Sequence, residues 1–149
     1  MAYSDDWISM LDDAAIAALG ASLRRIDPRF MKSSQRHPGA TRTWFQGKEP
    51  YFDLVFETEA DDIIWFQITL RGKSLSWNQD QPTLLQAGET NELDVPTEVN
   101  YYSASKTIEG TSDINREFLG LVIALLKTHP EDPLFAQMGT KLKALESQY

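Results

Sequence analysis

The chain contains no cysteine, and that one absence excludes a disulfide scaffold, thiol catalysis and every cysteine-based zinc or iron–sulfur site. Histidine is scarce too: only His37 and His129 occur, and no motif surrounds either. His37 sits in a Pro-Gly loop. His129 precedes Pro130 just past a helix end, where an imidazole meets free backbone carbonyls. Glycine-rich phosphate and dinucleotide loops, the nucleophile-elbow pattern, H-E-x-x-H and the EF-hand loop are all missing, so no cofactor and no metal site is expected. The longest apolar run, Phe118 to Leu126, falls well short of the roughly 20 residues that span a membrane, and it reads as a core helix. The first residues, Met-Ala-Tyr-Ser-Asp-Asp, are acidic where a signal peptide is basic. A cytoplasmic location is the expectation.

Positive charge is in short supply. Fourteen Lys and Arg face 22 Asp and Glu, a net charge of −8, which argues against nucleic-acid or anionic-membrane partners, whose affinity comes from many cations on phosphates. The cations are nevertheless clustered, with Arg24, Arg25, Arg29, Lys32, Arg36 and Arg42 against Asp27 alone. Arg36 and Arg42, flanking a loop beside Trp44, are candidates for an anion site; the plainer reading is helix-end charge plus a solvated loop. Glu89, Glu92, Asp94 and Glu98 match no calcium-loop spacing and read as a solvated acidic loop.

What is present describes an α+β domain over residues 1–149. The chain's 42% hydrophobic and 24% charged residues are globular values, and its length suffices to bury about two-thirds of the unfolded surface. Ile16, Leu19, Leu23 and Ile26 line one side of a helix capped by Asp12 or Asp13 and stopped by Pro28, with Arg24 and Arg25 in its last turn. Lys32 to Ala40 is a loop. Four strands follow near Thr41–Gln46, Tyr51–Thr58, Ile63–Leu70 and Lys73–Asn78, rich in aromatic and β-branched residues. One or two more are expected at Thr83–Gln86 and Thr97–Tyr102. Ser112 and Asp132 are positioned to cap two final helices, the second with Pro133 at its first position. The expected architecture is an antiparallel meander of four to six strands, with one N-terminal and two C-terminal helices packed on one face.

Loop lengths predict the register. A two-residue turn at Arg71-Gly72 sets Ile68 opposite Leu75 and Phe66 opposite Trp77. A three-residue turn at Ala60–Asp62 pairs Phe56 with Phe66, and a four-residue turn at Gly47–Pro50 sets Phe45 opposite Phe52. All the large apolar residues then share one face. The opposite face carries Trp44, Gln46, Tyr51, Asp53, Val55, Glu57, Trp65, Gln67, Thr69, Ser74, Ser76 and Asn78, where a solvent face would carry scattered charges. Aromatic rings among hydrogen-bonding side chains suit an interface or a ligand pocket, so Trp44, Tyr51, Asp53, Glu57, Trp65 and Gln67 are the candidate binding residues. Three coverings are open: segments of the same chain, a protein partner such as a second copy in a homodimer, or a small molecule. In the last case Asp53 and Glu57, two positions apart along one side of a strand, would form an acid/base pair by like-charge coupling.

The run Trp44-Phe45-Gln46, Asp53-Leu54, Trp65-Phe66-Gln67 and Trp77 resembles a "W-F … D-L … F-Q-L … L-T-W" series that threads an antiparallel meander in small uncharacterised bacterial α+β proteins. The resemblance spans residues 41–78 and implies that meander and a bacterial origin. Those proteins have no assigned activity, so it transfers no functional residue. The functional expectation is a non-enzymatic binding or interaction domain using the aromatic and polar back face; the alternative is a small enzyme or ligand-binding protein with a carboxylate-containing pocket there.

Overall fold

A computed structural model describes residues 6–30, 37–89 and 114–149, and it is an α+β fold around a six-stranded antiparallel sheet. The strands β1 (Arg24–Arg25), β2 (Thr41–Gln46), β3 (Asp53–Glu59), β4 (Asp62–Leu70), β5 (Lys73–Asn78) and β6 (Leu85–Glu89) lie in sequence order. Helices α1 (Asp6–Ser9) and α2 (Asp13–Ala21) precede the meander, and α3 (Arg116–Leu126) and α4 (Pro133–Leu145) follow it. The expected strand at Thr97–Tyr102 and the Ser112 cap lie outside the described residues. Asn115 caps α3 instead, its Oδ1 accepting from Phe118 N at 3.0 Å, and Asp132 caps α4 as expected.

Turn chemistry sets the pairing, and it differs from expectation in two places. Arg71 and Gly72 both have positive φ (49° and 84°), the mirror-image turn that matches strand twist, and Phe66 faces Trp77 as predicted. At the preceding hairpin the turn has two residues, Ala60 and Asp61, both at positive φ (50° and 69°). The register then shifts between Glu57 and Thr58. That β-bulge takes up the residue that a three-residue turn would have used, so Phe56 still meets Phe66. Between β2 and β3 the loop is longer than four residues. Gly47 N donates to Phe52 O at 2.9 Å and Tyr51 turns at φ 61°, so Phe45 pairs with Leu54 rather than Phe52. The error is an even number of positions, which leaves every side chain on its predicted face.

The N-terminal helix also ends early. It stops at Ala21, where Ser22 Oγ donates to Leu19 O at 2.7 Å, and Arg24 and Arg25 leave the helix to pair with Gln46 and Phe45. Strand pairing along the edge of β2 outcompetes two further helical turns, since an open edge leaves backbone groups unpaired. His129 fixes this segment to the C-terminal helices by donating from Nε2 to Gly20 O at 2.7 Å. The close approach requires glycine, because a Cβ at Gly20 would collide with the Thr128 side chain.

The core fills one face of the sheet. Phe52, Leu54, Phe56, Phe66, Ile68 and Leu75 are buried there with Phe135, Met138 and Leu142 of α4. Phe135 is the keystone: its ring lies 5.0 Å from Phe45 and 5.8 Å from Phe56. Gln137 ties the same helix to the β3–β4 hairpin, its Oε1 accepting from Ile63 N at 2.8 Å. Among the described residues no helix is long and apolar enough to cross a membrane. Phe66, fully buried with its ring 5.1 Å from Phe56, sets the first prediction. Phe66→Ala should cost roughly 3–5 kcal/mol in urea denaturation through the cavity it leaves; a loss below about 1 kcal/mol would contradict the assigned inner face.

Candidate binding site

The strand pairings arrange the back of the sheet as a grid of three rows. One row runs Gln46–Asp53–Thr69–Ser74, the next Trp44–Val55–Gln67–Ser76, and the third Arg42–Glu57–Trp65–Asn78. Tyr51 belongs to the loop before β3 rather than to the strand. That loop is held by Arg71, which donates from Nε and Nη2 to the Glu49 carboxylate at 2.8 and 2.6 Å. These bonds keep the Glu49 carboxyl below the ordinary carboxylate range.

The third row is closed by an ion pair. Glu57 is wholly buried, and Oε2 accepts from Arg42 Nε at 3.2 Å and Nη2 at 2.9 Å. Oε1 accepts from the backbone N–H of His37 at 3.1 Å and lies 2.9 Å from its Nδ1. A carboxylate oxygen can only accept, so the shared proton sits on Nδ1. Arg42 also lies over Trp65, its Cζ 5.8 Å from the ring centroid. This arrangement bears on two of the candidate residues. Arg42 is committed to Glu57, with a nearly buried side chain, instead of being presented to an external anion, and Arg36 lies outside the described residues. Trp65 is only 6% exposed within its own chain, which accords with the first of the three coverings left open, segments of the same chain. Sequence reasoning missed His37; its signal, a loop histidine with a strand carboxylate twenty residues on, has no periodicity to reveal it.

The other two rows are polar yet sheltered. Gln67, Thr69 and Ser74 are all under 9% exposed, while Trp44, Gln46, Asp53 and Ser76 are half-buried and mark where the rows meet solvent. Asp53 Oδ1 accepts from Trp44 Nε1 at 3.2 Å, and the Gln46 side chain also donates to its carboxyl. Desolvation outweighs those donors and pushes its pKa up to about 6. Asp53 and Glu57 do not form the expected coupled pair. Val55 lies between them, so strand geometry sets them about 13 Å apart, and the largest cause of the Asp53 shift is burial. Gln67 Nε2 is enclosed without a hydrogen-bond partner among the described residues, an omission costing roughly 1–3 kcal/mol. No grouping of three or more metal-ligating side chains occurs among the described residues.

Comparison of the chain with protein-family models, curated proteins and solved structures finds no match, so the chemistry of the face is what bears on its role.

Two predictions follow from these rows. Glu57→Gln should destabilise the fold by about 3–5 kcal/mol, because it leaves the Arg42 guanidinium buried without its counter-charge. Glu57→Leu combined with Arg42→Met should cost less than the sum of its single changes by more than about 1 kcal/mol; simple additivity in urea titrations would contradict the coupling. For Asp53 the folded pKa exceeds the ordinary 3.8, so its contribution to stability is fully present below pH 3.8 and is lost as pH rises through about 6. Asp53→Asn should therefore gain about 2 kcal/mol on the wild type between pH 4 and pH 7. A pH-independent difference would mean that the carboxyl is hydrated.

Proposed function

We propose that this chain is a small-molecule-binding domain whose site is the polar part of the back face, built from Asp53, Gln67, Thr69 and Ser74 with Trp44 and Tyr51 at its margin. The observation that carries the reading is the enclosed Gln67 amide beside a desolvated carboxyl. Buried polar groups are ordinarily paired with one another, and a sheltered face holding unspent hydrogen-bonding capacity between aromatic rings has the composition of a ligand site. Asp53 titrates close to neutrality, so it could also donate or accept a proton at pH 6–7; this is the form in which the enzymatic alternative survives. A homodimer or protein partner on the same face retains only the half-buried margin of Trp44, Tyr51 and Val55, since Trp65 has little surface left to contribute.

A fragment screen read by ¹H–¹⁵N correlation spectra tests the reading. Hits should cluster on the amides of residues 53, 67, 69 and 74, and Asp53→Asn should weaken them. Hits confined to the helical side, or concentration-dependent broadening of Trp44 and Tyr51 with sedimentation as a dimer, would contradict it.

A further inference from the structure

The chemistry of the rows also constrains the ligand. We infer that the site takes a neutral polyhydroxylated ligand, a sugar or cyclitol unit, bridging the Asp53 carboxyl and the Gln67 amide. This inference rests on the small-molecule reading above and narrows it to one class.

Charge decides the first step. An anion entering the rows would approach Asp53, and of the arginines that the described strands set on this face, Arg42 already gives both Nε and Nη2 to Glu57 while Arg24, opposite Gln46 at the sheet edge, is exposed to solvent. A phosphate or carboxylate would therefore meet the Asp53 carboxyl first, in a chain of net charge −8, with an exposed arginine at the sheet edge as the nearest described cation on that row. A cationic amine would suit Asp53 but offers only donors, and Gln67 Nε2 is itself a donor that needs an acceptor. It would stay unpaired. A hydroxyl both donates and accepts, so one ligand bearing two or more of them can give a proton to the Asp53 carboxylate and accept one from Gln67.

Spacing agrees with this. Asp53 faces Thr69 across the β3–β4 pair, and Gln67 is the next residue along that face, which sets Asp53 and Gln67 on a diagonal of about 7–8 Å between backbones. Both side chains can reach neighbouring hydroxyls of one ring over that distance. Thr69 and Ser74, paired directly across β4 and β5, add two hydroxyls of matching versatility.

The test is a set of titrations at pH 7, followed by ¹H–¹⁵N correlation spectra, with D-glucose, D-galactose, D-mannose, D-ribose and myo-inositol. Choline and inorganic phosphate serve as the cationic and anionic probes. At least one polyol should give saturable shifts at residues 53, 67, 69 and 74 with a Kd of about 1–10 mM, and Gln67→Met should weaken it roughly tenfold at unchanged circular dichroism. Thr69→Val reads the same row if Gln67→Met does not fold. Saturable shifts from choline or phosphate with none from any polyol would overturn the ligand class while leaving a small-molecule site in place. Silence from all seven probes would remove the polyol inference, and if the fragment screen also left these amides unmoved the site itself would fall. Equal polyol affinity in wild type and variants would put the binding elsewhere and overturn the inference directly.

Discussion

The pairing of β3 with β4 is the constraint on which the rest of the structure depends. Phe56 faces Phe66 and Leu54 faces Ile68 on one side, and that apolar sheet receives Phe135 from α4. Because successive residues of a strand alternate in direction, the same pairing assigns Asp53, Glu57, Trp65 and Gln67 to the other side. A slip of one residue would exchange the two faces and bury carboxylates among phenylalanines. The bulge after Glu57 and the positive-φ turn at Ala60-Asp61 absorb the local misfit at the hairpin without such a slip.

The back face solves a harder problem than the core. Its burial is polar, and polar burial stabilises only when partners are supplied. In the third row they are: Glu57 accepts from Arg42 and His37, and those bonds fasten the segment after residue 36 to the sheet. Across the other rows satisfaction is partial, with Asp53 holding two neutral donors and Gln67 Nε2 holding none among the described residues. The contrast is between an ion-paired carboxylate and a desolvated one held by neutral donors, on one strand and one face.

Much of this could be read in the sequence, for a definite physical reason. Alternation along strands is local, so the aromatic residues of 41–78 report their face even though the Gly47–Phe52 turn is longer and the Ala60 hairpin shorter than the sequence implies; the first offset is even and the bulge after Glu57 absorbs the second. The helix boundary at Ala21 was not legible. Leu23 and Ile26 continue a helical spacing, and only the tertiary pairing of Arg24 and Arg25 with β2 withdraws them. The candidate face was recognisable by composition, but the fate of each member was not. Trp65 is in sequence one candidate on a face whose covering is open, and the structure buries it beside an arginine that a carboxylate has already claimed. Contacts between residues 15 to 20 positions apart decide that, and no periodicity reports them.

The central claim is that the back face holds a desolvated Asp53 carboxyl beside an enclosed Gln67 amide whose Nε2 has no partner among the described residues. The most direct measurement is the ¹³C chemical shift of the Asp53 carboxyl followed through a pH titration of the folded chain. The account predicts a midpoint near 6, well above the ordinary aspartate value. A midpoint at about 4 or below would show a hydrated or cation-paired carboxyl and would contradict it.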